Sequence, residues 1–266
     1  MIDRFGRNID YLRISVTDRC NLRCCYCMPQ EGVKLLRHSD ILSFEEIIEV
    51  TKTAVDMGIT KVRLTGGEPL VRRGILNLVQ AVGAIEGIKD FAMTTNGVLL
   101  AQYAHALADA GLKRVNISLD TTDADRYRQL TRCGDINRVF AGIRAAQKAG
   151  LSPIKLNCVT GRFSRESDAQ AVREFGNSNG LDVRIIQQMV FETGCFSIVQ
   201  GGTGGDCARC NRLRLSSDGK VRPCLFSDIS CSVRCLGARQ ALQQAVDEKP
   251  EAGGPCTHAV MHRIGG

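Results

Sequence analysis

The sequence predicts an α/β fold: an incomplete (βα)6 barrel with a C-terminal extension that carries a second set of cysteines. Three observations support this. A short unit recurs, in which a helix-like stretch ends in glycine, an apolar residue follows, and a strand-like run begins. The strand-like runs alternate apolar with polar residues. The repetition stops near residue 190, where a different, cysteine-rich composition begins.

The first strand is YLRISVT, from Tyr11. The units that follow are GITKVRLT from Gly58, GIKDFAMT from Gly87, GLKRVNIS from Gly111, GLSPIKLN from Gly150 and GLDVRIIQ from Gly180. Glycine just past a helix takes the left-handed conformation that ends it. The helix before Gly58 opens on Ser43 and Glu46, a capping-box pair, and sets Ile47, Val50 and Ala54 at helical spacing. Strands that alternate with helices imply a parallel sheet. Within the strands, Leu12, Ile14 and Val16 alternate with Arg13, Ser15 and Thr17, and Val62 and Leu64 with Arg63 and Thr65. Val115 and Ile117 are set against Asn116 and Ser118, and Ile154 and Leu156 against Lys155 and Asn157. A parallel strand covered on both faces reads as continuously apolar. Here the apolar face meets the helices, and the polar face must line something wet or ligand-filled. A curved, open barrel with a polar lumen fits, and six units leave it incomplete. The alternative is a flat sheet with one solvated face, which is uncommon for parallel strands.

Residues 1–190 are read as the barrel and residues 191–266 as the C-terminal segment. Within the latter, GGTGGD (201–206) reads as a flexible connection, a helix-like stretch runs from about Ala238 to Val246, and EKPEAGGPC reads as loop. The 266-residue chain is 44% hydrophobic and 24% charged, a globular composition. It has no apolar run long enough to span a bilayer, and its first residues lack the pattern of a signal peptide, so a cytoplasmic location is expected. Thirteen cysteines in a reducing compartment argue against a disulfide framework and for metal. The net charge of +7 is spread along the chain and suits either a nucleic-acid groove or a polyphosphate pocket. The aromatic content of 5%, not interleaved with basic residues, argues against a single-strand nucleic-acid platform.

Cys20, Cys24 and Cys27 lie directly after the first strand with C-x3-C-x2-C spacing. Three thiolates on one tight loop suit three irons of a [4Fe–4S] cluster, leaving the fourth iron open. Zinc is the alternative, but it recruits a fourth Cys or His nearby, and none occurs between Cys27 and His38. Cys25 is the extra residue. A second set, Cys207, Cys210 and Cys224, has C-x2-C-x13-C spacing. It admits a zinc ribbon with Cys231, Cys235 or Cys256 as fourth ligand. The neighbouring Arg212 and Arg214 suit an anionic substrate instead.

CNLRCCYC, with Tyr26 before the last cysteine, and GGEP, Gly66 to Pro69 after the second strand, resemble the signatures of the radical S-adenosylmethionine (SAM) superfamily. LRISVTDRCNLRCCYCMP, VRLTGGEPLVRR, TTNG, NISLD, CNRLRLSSDGKVRPCLF and the closing RIGG together resemble the molybdenum cofactor biosynthesis protein A family, the GTP 3′,8-cyclases. The resemblance implies a radical SAM type of partial barrel with two [4Fe–4S] clusters. It implies a lyase that cleaves SAM to a 5′-deoxyadenosyl radical, takes hydrogen from the ribose C3′ of GTP and joins C3′ to C8 of guanine, the first step of molybdenum cofactor biosynthesis. By motif, Cys20, Cys24 and Cys27 would hold the SAM cluster and Cys207, Cys210 and Cys224 the second. Tyr26, Gly66, Gly67, Glu68, Ser118 and Met189 would serve SAM. Arg13, Arg63, Thr94, Lys155, Arg212 and Arg214 would surround GTP. An external electron donor and the downstream cyclic pyranopterin monophosphate synthase are the implied partners, with room for a homodimer and no part for nucleic acid or membrane. The segment between Met189 and Cys207 is much shorter than the family pattern, and QQMV (187–190) replaces its usual acidic strand end. A relative acting on another substrate, such as a peptide, and a non-catalytic iron–sulfur paralogue are the alternatives.

Overall fold

A computed structural model describes residues 1–257 and Ile264. The chain runs β1 (Tyr11–Ser15), α1 (Phe44–Asp56), β2 (Lys61–Thr65), α2 (Ile75–Gly83), β3 (Asp90–Thr95), α3 (Leu100–Asp109) and β4 (Arg114–Ser118). It continues α4 (Ala124–Thr131), α5 (Ile136–Lys148), β5 (Lys155–Thr160), α6 (Glu166–Ser178) and β6 (Asp182–Gln187). Last come β7 (Arg212–Leu215), β8 (Lys220–Arg222), β9 (Cys231–Ser232), α7 (Val233–Leu236) and α8 (Ala238–Asp247).

All six strands expected from the repeat are present, paired in parallel in the order β6-β5-β4-β3-β2-β1. The capping box at Ser43 and Glu46 starts α1, each side chain bonding the other's backbone N–H. Gly58, after that helix, sits at φ +104°, a conformation that favours glycine. Along the strands Leu12, Ile14, Val62, Leu64, Val115, Ile117 and Leu156 are buried, in one core with Ile47 and Val50 of α1, Val79 of α2, Leu107 of α3 and Val139 and Ile143 of α5. Each such side chain stabilises the fold by about 1.5–3 kcal/mol relative to exposure, so the apolar face is what fixes the register.

Residues beyond 190 add to this sheet rather than standing beside it. β7 pairs in parallel with the free side of β1, and β8 and β9 follow it antiparallel, giving nine strands in order β6-β5-β4-β3-β2-β1-β7-β8-β9. α8 packs on α1. The 201–206 glycine run is tied down: Val199 N–H donates to Gly204 O at 2.7 Å, and Gln200 bridges Ile185 of β6.

The polar face is not solvated. Arg63, Arg214 and Arg222 are each 7% exposed or less, and Ser15 and Asn116 are fully buried. Register aligns Arg63 of β2 with Arg13 of β1, Arg13 with Arg214 of β7, and Arg214 with Arg222 of β8. Residues directly paired across strands share a face, so four guanidinium groups line one row of the concave polar side. This excludes the flat sheet with a wet face.

Candidate functional site

Two cysteine sets hang from opposite ends of β1 and β7, with the arginine row between them. The first lies past Ser15, at the C-terminal end of β1. The second flanks the start of β7: Cys210 is two residues before Arg212, which pairs with Tyr11 at the start of β1. Cys224 follows β8, which runs antiparallel to β7 and ends at Arg222, opposite Arg214. A strand advances about 3.3 Å per residue, so β1 alone separates the two sets by about 17 Å.

At the C-terminal rim, the ends of five strands, β1 to β5, are bonded together. GGEP packs on the cysteine loop: Gly67 N–H donates to Thr17 O at 2.7 Å and Glu68 N–H to Arg19 O at 2.8 Å. A Cβ on Gly67 would stand 2.3 Å from Arg19 O, and one on Gly66 would stand 2.7 Å from Thr17 O. The two glycines are therefore required by the backbone of the cysteine loop itself. Glu68 is buried and accepts from Leu70 N (3.0 Å), Thr95 Oγ1 (2.8 Å) and Asn96 N (2.6 Å). Burial holds its carboxyl up at about 7 against those three donors. Asn96, so placed, donates to Asn21 Oδ1 at 2.8 Å and to the Cys20 sulfur at 3.8 Å. Tyr26 Oη donates to Asp120 Oδ2 at 2.6 Å, and Asp120 Oδ1 accepts from Val159 N at 2.8 Å. Burial pushes Asp120 up to about 6 although the Tyr26 hydroxyl opposes it.

The thiols fit a cluster. No disulfide joins the cysteines of the described residues. Burial raises the Cys24 thiol well above its ordinary value, and after burial and Asp120 the charges it feels are Cys27 and Cys20. Cys27 is pushed up to about 11 by burial and then by Cys20. The three thiols thus lie within electrostatic reach of one another on a part-buried loop, where binding to a cation favours their deprotonated form. Cys25 instead senses Arg132 and Asp120 after its own burial, and its N–H is tied to Leu130 O of α4. Among the described residues no three Cys, His, Asp or Glu side chains converge on one point as ligands of a single ion would. A cubane makes no such demand, because each thiolate holds a different iron.

At the opposite end, Cys224 Sγ accepts from Phe226 N at 3.4 Å, and Cys210 is among the charges it senses. Arg7, 8% exposed and paired with Asp3 at 2.6 Å, donates to Cys207 O at 2.8 Å. Between the ends, burial and then Arg214 hold the Arg13 guanidinium well below its ordinary value, while burial and Arg212 bring Arg214 down to about 10. Like charges gathered in low dielectric require an anion. Arg63 lies 5.6 Å from the Tyr11 ring centroid, and its Nε has no hydrogen-bond partner among the described residues.

The remaining expected residues divide. Thr94 turns a buried, unbonded Oγ1 to the polar face, beside Asn116 in register. Ser118 ends β4 opposite Asn157. Lys155 is held by Asp182 of β6 at 2.8 Å, at the far side of the sheet from β7. Arg212 donates to Thr203 O at 2.9 Å. Met189 packs with Leu225, Phe226 and Ile264. Two arginines escape sequence reading. Arg184 of β6 pairs with Asn157 and has a buried, unbonded Nε. Arg222 has buried Nε and Nη1 without partners among the described residues. Of the other cysteines, Cys158 is buried, whereas Cys133 and Cys195 are exposed. The Gly-Gly tail, with His258 and His262, lies outside the described residues.

The Radical SAM superfamily profile matches residues 14–176. A "GTP 3′,8-cyclase" of Thermodesulfovibrio yellowstonii is 39% identical over 322 aligned residues, covering 100% of both chains. One of Moorella thermoacetica is 43% identical over 274, covering 86% of this chain and 84% of its own. The chain is a radical SAM protein of the GTP 3′,8-cyclase family.

This radical SAM protein therefore uses a [4Fe–4S] cluster and SAM. The alignment with the Thermodesulfovibrio relative is longer than the 266 residues here, so that relative carries residues with no counterpart in this radical SAM chain. Among solved structures, anSMEcpe with bound AdoMet superposes with TM-score 0.61 at 14% identity, covering 91% of this chain and 81% of that one. Streptococcus suis SuiB bound to S-adenosylmethionine gives 0.55 at 19%, covering 69% of this chain and 41% of that one. The family member thus spans under half of that SuiB chain, and such likenesses show the radical SAM fold. Among the described residues no helix is long and apolar enough to cross a membrane.

Proposed function

We propose that this chain is a lyase that converts GTP to (8S)-3′,8-cyclo-7,8-dihydroguanosine 5′-triphosphate, at the first step of molybdenum cofactor biosynthesis. The relatives' activity supports it, and one structural observation carries it: a row of buried arginines lies between two cysteine sets. Cys20, Cys24 and Cys27 would hold the SAM cluster, and Cys207, Cys210 and Cys224 a second. The SAM cluster supplies the electron that breaks a carbon–sulfur bond of SAM.

Every other task falls to the chain's own groups. Glu68 fixes Asn96 against Asn21 and the Cys20 sulfur, which orients the loop. Asp120 anchors Tyr26. Arg13, Arg63, Arg214 and Arg222 present a cationic row, and a triphosphate supplies acceptors for the buried Arg63 Nε and the buried Arg222 Nε and Nη1, which have no hydrogen-bond partner among the described residues. Arg184 and Thr94 widen that surface toward β6. Residues 1–190 would serve SAM and most of the phosphate contacts, and residues 191–266 the second cluster. The proposed reaction calls for an external one-electron donor, would run in the cytoplasm, and would hand its product to the next synthase of the pathway. A homodimer is compatible with this arrangement.

The test is anaerobic reconstitution followed by SAM cleavage with a chemical reductant, with GTP or a peptide as trigger. The expected result is about eight irons per chain, as two [4Fe–4S] clusters, and 5′-deoxyadenosine formed in step with cyclised GTP. Cleavage driven by peptide and indifferent to GTP overturns the substrate assignment. About four irons per chain removes the second cluster.

A further inference from the structure

Lys249 is the largest fully buried side chain among the described residues, at 1% exposure. It lies just past α8, in a stretch that reads as loop. Its Nζ donates to Arg212 O at 2.8 Å and to Pro223 O at 2.5 Å. Burial lowers the Lys249 ammonium below its ordinary value, and Cys210 and Cys224 are the groups that favour its charge. The carboxylates nearest in sequence are engaged elsewhere: Glu248 accepts from Gln244 and Asp247 from Gln243. A buried ammonium costs several kcal/mol unless an anion faces it, and two neutral carbonyls do not neutralise it. Among the described residues, the acidic groups that favour its charge are two thiols of the second cysteine set.

We propose that Lys249 is the fixed counter-charge and clamp of the second cysteine set. Resting on the reading that this set holds an iron–sulfur cluster, it makes Lys249 a positioning residue of the cluster. Two consequences follow. The ammonium offsets the charge of the Cys210 and Cys224 thiolates, so a bound cluster is reduced more easily; local charge and hydrogen bonds to the sulfurs set such potentials. Its two carbonyl bonds join the start of β7 to the residue before Cys224. They hold both ligand-bearing segments together and draw the Arg212 backbone into the same anchor.

The experiment compares wild type with Lys249→Met, which keeps length and removes charge, and Lys249→Arg, which keeps charge. Each is reconstituted anaerobically and examined for iron content, for midpoint potentials by EPR-monitored redox titration, and for thermal unfolding with and without iron. SAM identifies the first cluster by perturbing its signal alone. We expect Lys249→Met to retain the first cluster unchanged. Its second cluster should shift to lower potential, or be lost with about half the iron. Lys249→Met should lose more stability with iron than without it, since without a cluster the buried charge is uncompensated whereas the two carbonyl bonds are lost in both states; Lys249→Arg should keep the wild-type potential. Full iron with an unmoved second potential in Lys249→Met overturns the proposal. So does equal destabilisation with and without iron, or failure of Lys249→Met to fold, because either makes Lys249 a packing residue only. Wild type that holds a single cluster removes the underlying reading and the proposal together, an outcome distinct from the other three.

Discussion

Replacing Tyr26 with Phe removes one hydroxyl and leaves the ring. The hydroxyl donates at 2.6 Å to Asp120, which is 6% exposed and keeps only the Val159 N–H at its other oxygen. A hydrogen bond to a buried carboxylate is worth about 1.5–3 kcal/mol, so the metal-free protein should lose about 2 kcal/mol at pH 8. For a chain of this length that lowers Tm by about 4–8 °C. The pH dependence sharpens the test. Burial holds Asp120 near 6, above its ordinary 3.8. Between those values the folded chain keeps a proton that the unfolded chain has released, so this group's stabilisation is complete below pH 4. It falls by about 3 kcal/mol as pH rises to 6. Without the Tyr26 hydroxyl the folded carboxyl rises further, and the decline continues above pH 6. The gap between wild type and Tyr26→Phe in urea unfolding should therefore be small at pH 5 and full at pH 8. Equal gaps at the two pH values would refute the assignment of the bond to an ionised Asp120, and Asp120→Asn should flatten the decline.

Further outcomes follow from the same geometry. Gly67→Ala drives a Cβ to 2.3 Å from Arg19 O; it should cost several kcal/mol, as overpacking against backbone does, and abolish iron loading of the first cysteine set, measured by iron content. Cys25→Ala should leave iron content and SAM cleavage at wild-type levels, because Cys25 faces Arg132 rather than the other thiols; a lost cluster would show that the loop's register is misread. Arg222→Leu should weaken GTP binding about tenfold or more, by calorimetry on the reconstituted protein, with SAM binding unchanged, as expected for one charge-assisted contact of about 1.5–3 kcal/mol. Binding of GTP within twofold of wild type would take Arg222 out of the phosphate surface.

The strands β2–β6 are legible because each follows a helix-ending glycine, and β1, β2, β4 and β5 also because each carries its own alternation. The first cysteine set is legible because its spacing lies within one loop. Other features depend on contacts between distant segments. RLRL (212–215) alternates as well as any strand, but nothing local says that it pairs with Tyr11–Ile14, some two hundred residues away. Arg222 is hidden in a three-residue strand before Pro223, and Arg184 precedes two isoleucines that blur the period. Lys249 is hidden by its type, since lysine in a loop is nearly always solvated. The glycines of GGEP suggest approach to a ligand; the structure shows the close neighbour to be the Thr17–Arg19 backbone.

The pairing of β1 with β7 also sets an order of events in the making of the molecule. β1 is synthesised before every other strand of the sheet and finds β2 and the SAM-side loop within the next sixty residues or so, a short closure. Its other edge stays open until residues 212–215 leave the ribosome, and such long-range pairing is intrinsically slow. The cationic row and the second cysteine set then come together in one late docking step. A chain halted before Arg212 would present an unpaired β1 edge, which is a template for aggregation, so iron delivery to the two ends is separable in time during biogenesis.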